Sequence, residues 1–151
     1  MDDPFDLRRF LDAQANDYGR ALAELRGGRK RSHWMWYVFP QFDGLGHSSA
    51  ARRYAIKSLD EARAYLAHPV LGPRLLECAE AVLQIEGRPA AQVFGSPDDL
   101  KLRSSLTLFD AVAAETHRFA GASPAPPFGS ALDRFFAGSG DPATLALLAE
   151  H

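Results

Sequence analysis

Helix-start signals recur along the sequence and constrain its fold more than any other feature. Asp3-Pro4, Ser96-Pro97 and Asp141-Pro142 each place a capping side chain before a proline. Proline costs nothing at the first position of a helix, because its missing N–H would have no partner there. Ser58 and Glu61 have the spacing of a capping box, in which each residue satisfies a backbone N–H near the other. These starts predict helices along the whole chain.

Apolar residues recur at helical spacing after these starts, and no segment shows the alternation of a strand. Only WMWYVF, residues 34–39, has a strand-favouring composition, and it is interpreted as a short buried helix or an extended crossing. The sequence therefore predicts an all-α fold with at most minor strand content. The residues that we expect to be buried together are Leu75, Cys78, Val82, Leu106 and Phe109.

Length and composition limit the class of protein. A chain of 151 residues favours one helical domain, residues 1–151, and GASPAPPFG, residues 121–129, is expected to be a surface connection within it. A net charge of -2 argues against nucleic-acid binding driven by bulk electrostatics. The only cysteine, Cys78, excludes an intrachain disulfide and a Cys-rich zinc site. A charged N-terminus and the lack of a long apolar run argue against secretion and membrane insertion, so a cytoplasmic location is expected.

The segment SHWMWYVFPQ, residues 32–41, contains both tryptophans of the chain between polar residues. It is either part of the core or the wall of a pocket that recognises a flat ring. Helical spacing divides it into two sets. The residues expected to face the core are Trp34, Met35 and Val38. The residues expected to face a cavity are His33, Trp36 and Gln41.

A glycine-rich turn, Gly44-Leu45-Gly46-His47-Ser48-Ser49, follows this segment. Ser48 or Ser49 is suited to cap the next helix, which carries Arg52 and Tyr54. Free N–H groups at a helix start, glycines that allow close approach and a nearby arginine are the components of a phosphate site. The alternative is an ordinary loop before a capped helix.

A cluster of charge stands at the start of a later, otherwise apolar helix, at Asp99, Lys101 and Arg103. Asp99 and Arg103 are four residues apart and can form an ion pair on the helix surface. Alternatively, the cluster faces a pocket and contributes to a binding site.

Three stretches carry a family resemblance: GRKRSHWMWYVFPQFDGLGHSSAARRYAI, SLDEARAYLAHPVLGPRL and FGSPDDLKLRSSLTLF. They resemble the domain-of-unknown-function 1810 family over nearly the whole chain. The resemblance implies a small, mostly helical bacterial protein and no established activity. Some members are labelled calpastatin, but calpastatin is a disordered inhibitor and this composition is that of a packed globule.

Three further stretches occur in an order similar to that of the motifs of the NADAR family. Members of that family are helical domains linked to ADP-ribose and NAD chemistry. The three stretches are Ser32-His33-Trp34, the segment HPVLGPRLL at residues 68–76, and Val93-Phe94-Gly95. Ser32 stands where that family has a glutamate before its histidine, which removes a carboxylate from this point. The similarity implies a nucleotide-like ligand.

Two functional hypotheses follow. The first is that the protein binds or processes an anionic, nucleotide-like small molecule. The candidate reaction is N-glycoside hydrolysis of ADP-ribose derivatives. The candidates for proton transfer are Lys30, His33 and Asp99. The candidates for ligand binding are Trp34, Trp36, Gln41, Gly44, Gly46, Ser48, Arg52, Tyr54, Lys101 and Arg103. No cofactor is expected, and the five histidines lack the spacing of metal ligands. The second hypothesis is a non-catalytic module that binds a protein partner through the aromatic cluster.

Overall fold

The computed structural model describes residues 3–120 and 126–150, with the side chains of residues 116–120 excepted. Its helices in chain order are α1 (Arg8–Arg26), α2 (Met35–Val38), α3 (Ser49–Arg53), α4 (Leu59–Ala67), α5 (Leu71–Leu83), α6 (Ala90–Phe94), α7 (Asp98–Ala120), α8 (Pro127–Phe136) and α9 (Pro142–Ala149). Within these residues, a single parallel bridge between Phe42 and Ile56 is the only strand-like pairing. The all-α prediction is confirmed, and WMWYVF contains the short helix α2.

Three of the predicted caps form as expected, and one of them is Ser48 at the start of α3. The Ser58 hydroxyl accepts the Glu61 N–H at 3.1 Å at the start of α4, and the Asp141 carboxylate accepts the Thr144 N–H at 3.0 Å at the start of α9. The predicted start of α1, at Pro4, was wrong. Asp3 accepts the N–H groups of Leu7 and Arg8, so that it caps a helix that begins at Arg8 rather than at Pro4.

The core lies between the long helices. α7 packs against α4, α6, α8 and α9, while α5 packs against α1, α4 and α8. Leu75, Cys78, Val82, Leu106 and Phe109 are all buried in one apolar cluster, as their spacing predicts.

A buried ion pair joins α1 to α4 and fixes the chain that leads from α3 to α4. The Arg9 guanidinium lies 2.6 Å from the Glu61 carboxylate. Its other N–H groups donate to the carbonyl oxygens of Phe5, Asp6, Arg53 and Ala55. Glu61 also accepts the Lys57 N–H at 3.1 Å, so it does not return to Ser58 as a capping box requires. All five guanidinium donors are therefore satisfied within the fold.

Residues 121–125 of the predicted surface connection lie outside the described residues. In the part of the chain that the structure describes, the helices are all too short or too polar to cross a membrane.

Candidate functional site

One carboxylate organises the backbone that leads into α2. Glu24, near the end of α1, accepts the N–H groups of Arg31 at 2.7 Å and Ser32 at 3.0 Å. It also accepts the Ser32 hydroxyl at 2.6 Å and the indole N–H of Trp34 at 2.9 Å. Burial alone would raise the pKa of Glu24, but these hydrogen bonds lower it to about 2. Glu24 is therefore ionised at neutral pH and has a structural role.

A second carboxylate connects the two tryptophans. Asp98, in the first turn of α7, lies 2.9 Å from the Lys30 ammonium and 3.5 Å from that of Lys101. Lys30 lies 5.1 Å from the ring centre of Trp34, and Lys101 lies 5.2 Å from that of Trp36. A cation at this distance from an indole ring is attracted by its π electrons. Asp98 thus holds one lysine over each tryptophan.

The two tryptophans have different environments. Trp34 is fully buried and hydrogen-bonded to Glu24, so its ring has no face open to a ligand in this conformation. Trp36 is half-buried, and its indole N–H is buried without an acceptor among the described residues. Of the two tryptophans, Trp34 therefore belongs to the core, as predicted, whereas Trp36 is only partly covered.

Trp36 lines a small recess behind α3. Four other predicted binding residues, Gln41, Gly44, Gly46 and Tyr54, line the same recess. Its volume is about 10 Å³, which is close to the least space that holds one water molecule. The recess therefore accommodates a single small polar group but not an aromatic ring.

Arg52 lies on the other side of α3, in a larger cleft of about 660 Å³. The residues that line this cleft are Pro4, Phe5, Asp6, Arg9, Ser49, Arg52, Arg53, Lys57, Ser58 and Glu61. We call it the α3 cleft. Ser48 is not among its lining residues: its hydroxyl accepts the Ala51 N–H at 3.1 Å and so caps α3.

The α3 cleft is rich in positive charge. Arg52, Arg53 and Lys57 are exposed around it, against one exposed carboxylate, Asp6. Arg9 and Glu61 neutralise each other at its base. A second cleft of about 530 Å³ lies between the end of α1 and α5, and it mixes two arginines with Glu77, Glu80 and Glu86. Of these two clefts, only the α3 cleft has the charge that attracts an anion.

The three proton-transfer candidates have different environments. The Lys30 side chain is buried and donates to the Ser32 carbonyl at 2.5 Å in addition to its ion pair with Asp98. The His33 side chain is exposed. Asp99 is half-buried and has one buried carboxylate oxygen without a partner in the described chain.

The predicted pairing of Asp99 with Arg103 is absent among the described residues. Arg103 instead donates to the Ser139 carbonyl and hydroxyl, both at 2.8 Å, and to the Gly140 carbonyl at 3.0 Å. A guanidinium with several carbonyl partners is better satisfied than one in an exposed ion pair. Arg103 therefore ties α7 to the turn before α9.

Sequence reasoning missed four residues that shape this region: Glu24, Asp98, Arg53 and Lys57. Arg53 and Lys57 had a signal, since they belong to the same basic stretch as Arg52, namely RRYAIK at residues 52–57. Asp98 had the weaker signal of an acid in the first turn of a helix. Glu24 had none, because its partners lie beyond the turn at Gly27-Gly28.

The family comparison is consistent with this architecture. A family model described as "Protein of unknown function (DUF1810)" matches residues 4–148. The chain belongs to the DUF1810 family. A solved structure with the same fold is that of the conserved hypothetical protein Rv1873 from Mycobacterium tuberculosis. The two share 51% sequence identity with a TM-score of 0.89, over 97% of this chain and 99% of that one. Comparison with curated proteins gave no match.

Membership of the DUF1810 family assigns the fold but no activity, so function has to be argued from the geometry. The similarity to the NADAR family stays a prediction. The described residues contain no group of three histidine, cysteine or acidic side chains placed to hold a metal ion.

Proposed function

We propose that this protein binds a small anionic, nucleotide-like molecule, with the anionic group in the α3 cleft. The observation that carries the proposal is the charge of this cleft in a protein whose net charge is -2. Arg52 has no ion pair in the part of the chain that the structure describes, and Arg53 and Lys57 stand beside it. The cleft volume of about 660 Å³ is in the usual range for small-molecule sites, roughly 300–1,000 Å³.

A half-buried aromatic side chain, Phe5, lines the α3 cleft and supports a ligand that also carries a ring. Tyr54 is half-buried at the end of α3, and the Arg53 guanidinium lies 5.6 Å from its ring centre. Tyr54 packs edge-on against Tyr37 at 5.2 Å, which holds its ring in place. Tyr54 lines the recess and not the cleft, so it positions the Arg53 guanidinium, which suits a phosphate.

The proposal is one of binding and not of catalysis. Lys30 is held by Asp98, and none of the proton-transfer candidates, Lys30, His33 and Asp99, lines the α3 cleft. N-glycoside hydrolysis requires an acid toward the leaving group at the place where the ligand sits. Among the candidates, only His33 is exposed, and its assignment stays a prediction.

The alternative function, a protein-interaction module, depends on the aromatic cluster. The burial of this cluster does not favour that function. Trp34, Tyr37 and Phe39 are each at most 8% exposed. A partner could therefore contact little of the cluster without unfolding the segment.

A thermal-shift screen with ADP-ribose, NAD and adenine nucleotides tests the proposal. A ligand at a hundred times its dissociation constant stabilises the folded state by about 2.7 kcal/mol. Arg52→Ala and Arg53→Ala should each reduce this stabilisation, because each removes a cation from the cleft. Arg29→Ala is the matched control, since Arg29 is also an exposed arginine but lines neither cleft. Equal losses in all three variants, or no stabilisation by any of these ligands, would contradict the proposal.

A further inference from the structure

One carboxylate of the α3 cleft is free for a ligand. Asp6 lines the cleft and is exposed there, together with the cations Arg52, Arg53 and Lys57. In the described part of the chain the Asp6 side chain has no hydrogen-bond or ion-pair partner, those three cations included. A carboxylate in a cleft that attracts anions repels them, unless it binds another part of the same molecule. Asp6 therefore suits a ligand with both an anionic group and a hydrogen-bond donor.

The backbone of Asp6 is fixed in an uncommon conformation. Its φ of 51° lies in the left-handed region, which few residues other than glycine adopt, although aspartate and asparagine tolerate it. The Asp6 N–H donates to the Asp3 carbonyl at 3.1 Å, and the Asp6 carbonyl accepts from the Arg9 guanidinium at 2.8 Å. The backbone that carries this carboxylate is thus held in place by the fold, without help from a ligand.

The buried Arg9 guanidinium also sets the distance between two segments that line the cleft. One of its nitrogens donates to the Phe5 and Asp6 carbonyls, and another donates to the Arg53 carbonyl at 2.7 Å. Because the nitrogens of a guanidinium are rigidly placed, the carbonyl oxygens of residues 5 and 6 lie within about 8 Å of that of residue 53. Since Asp6 and Arg53 also line the same cleft, one small molecule can contact both.

The charges of the cleft define the donor that Asp6 would bind. An ionised carboxylate only accepts hydrogen bonds, and its two oxygens can accept from two neighbouring donors. Arg52, Arg53 and Lys57 disfavour an ammonium in the same cleft, whereas a hydroxyl carries no charge for them to repel. Neighbouring hydroxyls of a sugar therefore complement Asp6 best. In dinucleotide-binding domains an acidic side chain holds a ribose hydroxyl in the same way.

We propose that the Asp6 carboxylate binds the sugar hydroxyls of a ribonucleotide whose phosphate lies against Arg52 and Arg53. This proposal rests on the proposed function of the α3 cleft. It narrows the ligand from a nucleotide-like anion to one with free hydroxyls on its sugar, and it makes Asp6 the residue that discriminates against deoxy analogues. Inorganic phosphates bind the cations of the cleft alone.

Calorimetric titrations with ADP, 2′,3′-dideoxy-ADP and inorganic pyrophosphate test this proposal. The two nucleotides share base and phosphates and differ only in the sugar hydroxyls. Wild type should bind ADP roughly tenfold or more tightly than the dideoxy analogue, because the analogue loses hydrogen bonds to a charged acceptor.

Asp6→Asn is the informative variant. Asparagine tolerates the left-handed backbone, so the melting temperature without ligand should not fall. The preference for ADP should drop about fivefold, because a neutral acceptor replaces a charged one. Pyrophosphate should bind more tightly than to wild type, because a negative charge is removed from the cleft. Asp12→Asn is the matched control: Asp12 is also exposed but lines neither cleft, so this variant should keep the wild-type affinities.

The outcomes separate this inference from the proposed function. Equal affinity of wild type for ADP and the dideoxy analogue overturns the inference and leaves the α3 cleft in place as an anion site. An unchanged preference for ADP in Asp6→Asn, or the same loss in Asp12→Asn, also overturns the inference. So does weaker pyrophosphate binding in Asp6→Asn, since that variant would then act on the whole site. Pyrophosphate binding that is insensitive to Arg52→Ala and Arg53→Ala overturns the proposed function. No binding of any probe to wild type overturns both.

Discussion

Replacing Glu24 with glutamine should destabilise the protein in a pH-dependent way. The side chain keeps its size but loses its charge, and one of its two acceptor atoms becomes a donor. In the native structure both oxygens accept: Oε1 from Arg31, Ser32 and Trp34, and Oε2 from the Ser32 hydroxyl. In the variant, the NH2 group of the glutamine would lie opposite at least one of these N–H or O–H donors, and no hydrogen bond could form there.

The magnitude follows from the pKa of the carboxyl. Its value of about 2 in the fold, against an ordinary 4.5, corresponds to at most about 3 kcal/mol of stability at neutral pH, since one pKa unit is about 1.4 kcal/mol. Glu24 is partly exposed, and solvent screening reduces this to about 1–2 kcal/mol. Because the folded-state pKa is depressed, this contribution is complete above about pH 5. It is lost as the pH falls toward 2.

Urea denaturation of wild type and Glu24→Gln at pH 7, 5, 4 and 3 measures this contribution. The difference in unfolding free energy between the two proteins should be about 1–2 kcal/mol at pH 7 and should shrink as the pH is lowered from 5 to 3. Glu80→Gln is the control, because Glu80 is exposed and has no side-chain hydrogen bond or ion pair in the described structure. A difference that stays constant from pH 7 to pH 3 would show that the charge of Glu24 is not what holds the segment.

Three further outcomes are expected. Arg9→Met should lower the unfolding free energy by about 3–5 kcal/mol in chemical denaturation, because it leaves the buried carboxylate of Glu61 without its partner; full stability in this variant would contradict the buried ion pair. Leu106→Ala should cost about 2–5 kcal/mol by the same measurement, since Leu106 is only 1% exposed; a loss below about half a kilocalorie would mean that its burial is wrong. Burial raises the pKa of the Cys78 thiol to about 12, so a disulfide reagent at pH 8 should react only as the protein unfolds; rapid labelling of the native protein would contradict this.

The parts of the fold that were predictable depend on local interactions. Ser58 and Asp141 cap their helices through bonds that span three residues, and such bonds can be read from spacing alone. The start of α1 could not be placed in this way. Asp6 adopts a left-handed backbone with φ of 51°, and Arg9 takes partners from the distant residues 53–55. No local pattern contains either fact.

The difference between local and long-range interactions also explains which parts of the candidate site were predictable. The sequence grouped Trp36, Gln41, Gly44, Gly46 and Tyr54, and the structure places all of them around one recess. These residues are close in sequence, so the short loop that carries them keeps them together. The division of the site into two faces was not predictable, because it depends on which side of α3 meets the body of the protein.

The single turn of α2 shows why the two tryptophans differ. A helix of four residues is not stable alone, so tertiary contacts must fix it: Glu24 holds the backbone before it, and Gln14 donates to the Tyr37 carbonyl within it at 2.7 Å. Trp34 and Trp36 are two residues apart, and their side chains point in nearly opposite directions from such a turn. Trp34 can be buried and hydrogen-bonded only if Trp36 is directed away from Glu24, toward α3 and the start of α7. The contact that anchors the segment thus also sets the ring of Trp36 beneath Lys101 and along one wall of the recess.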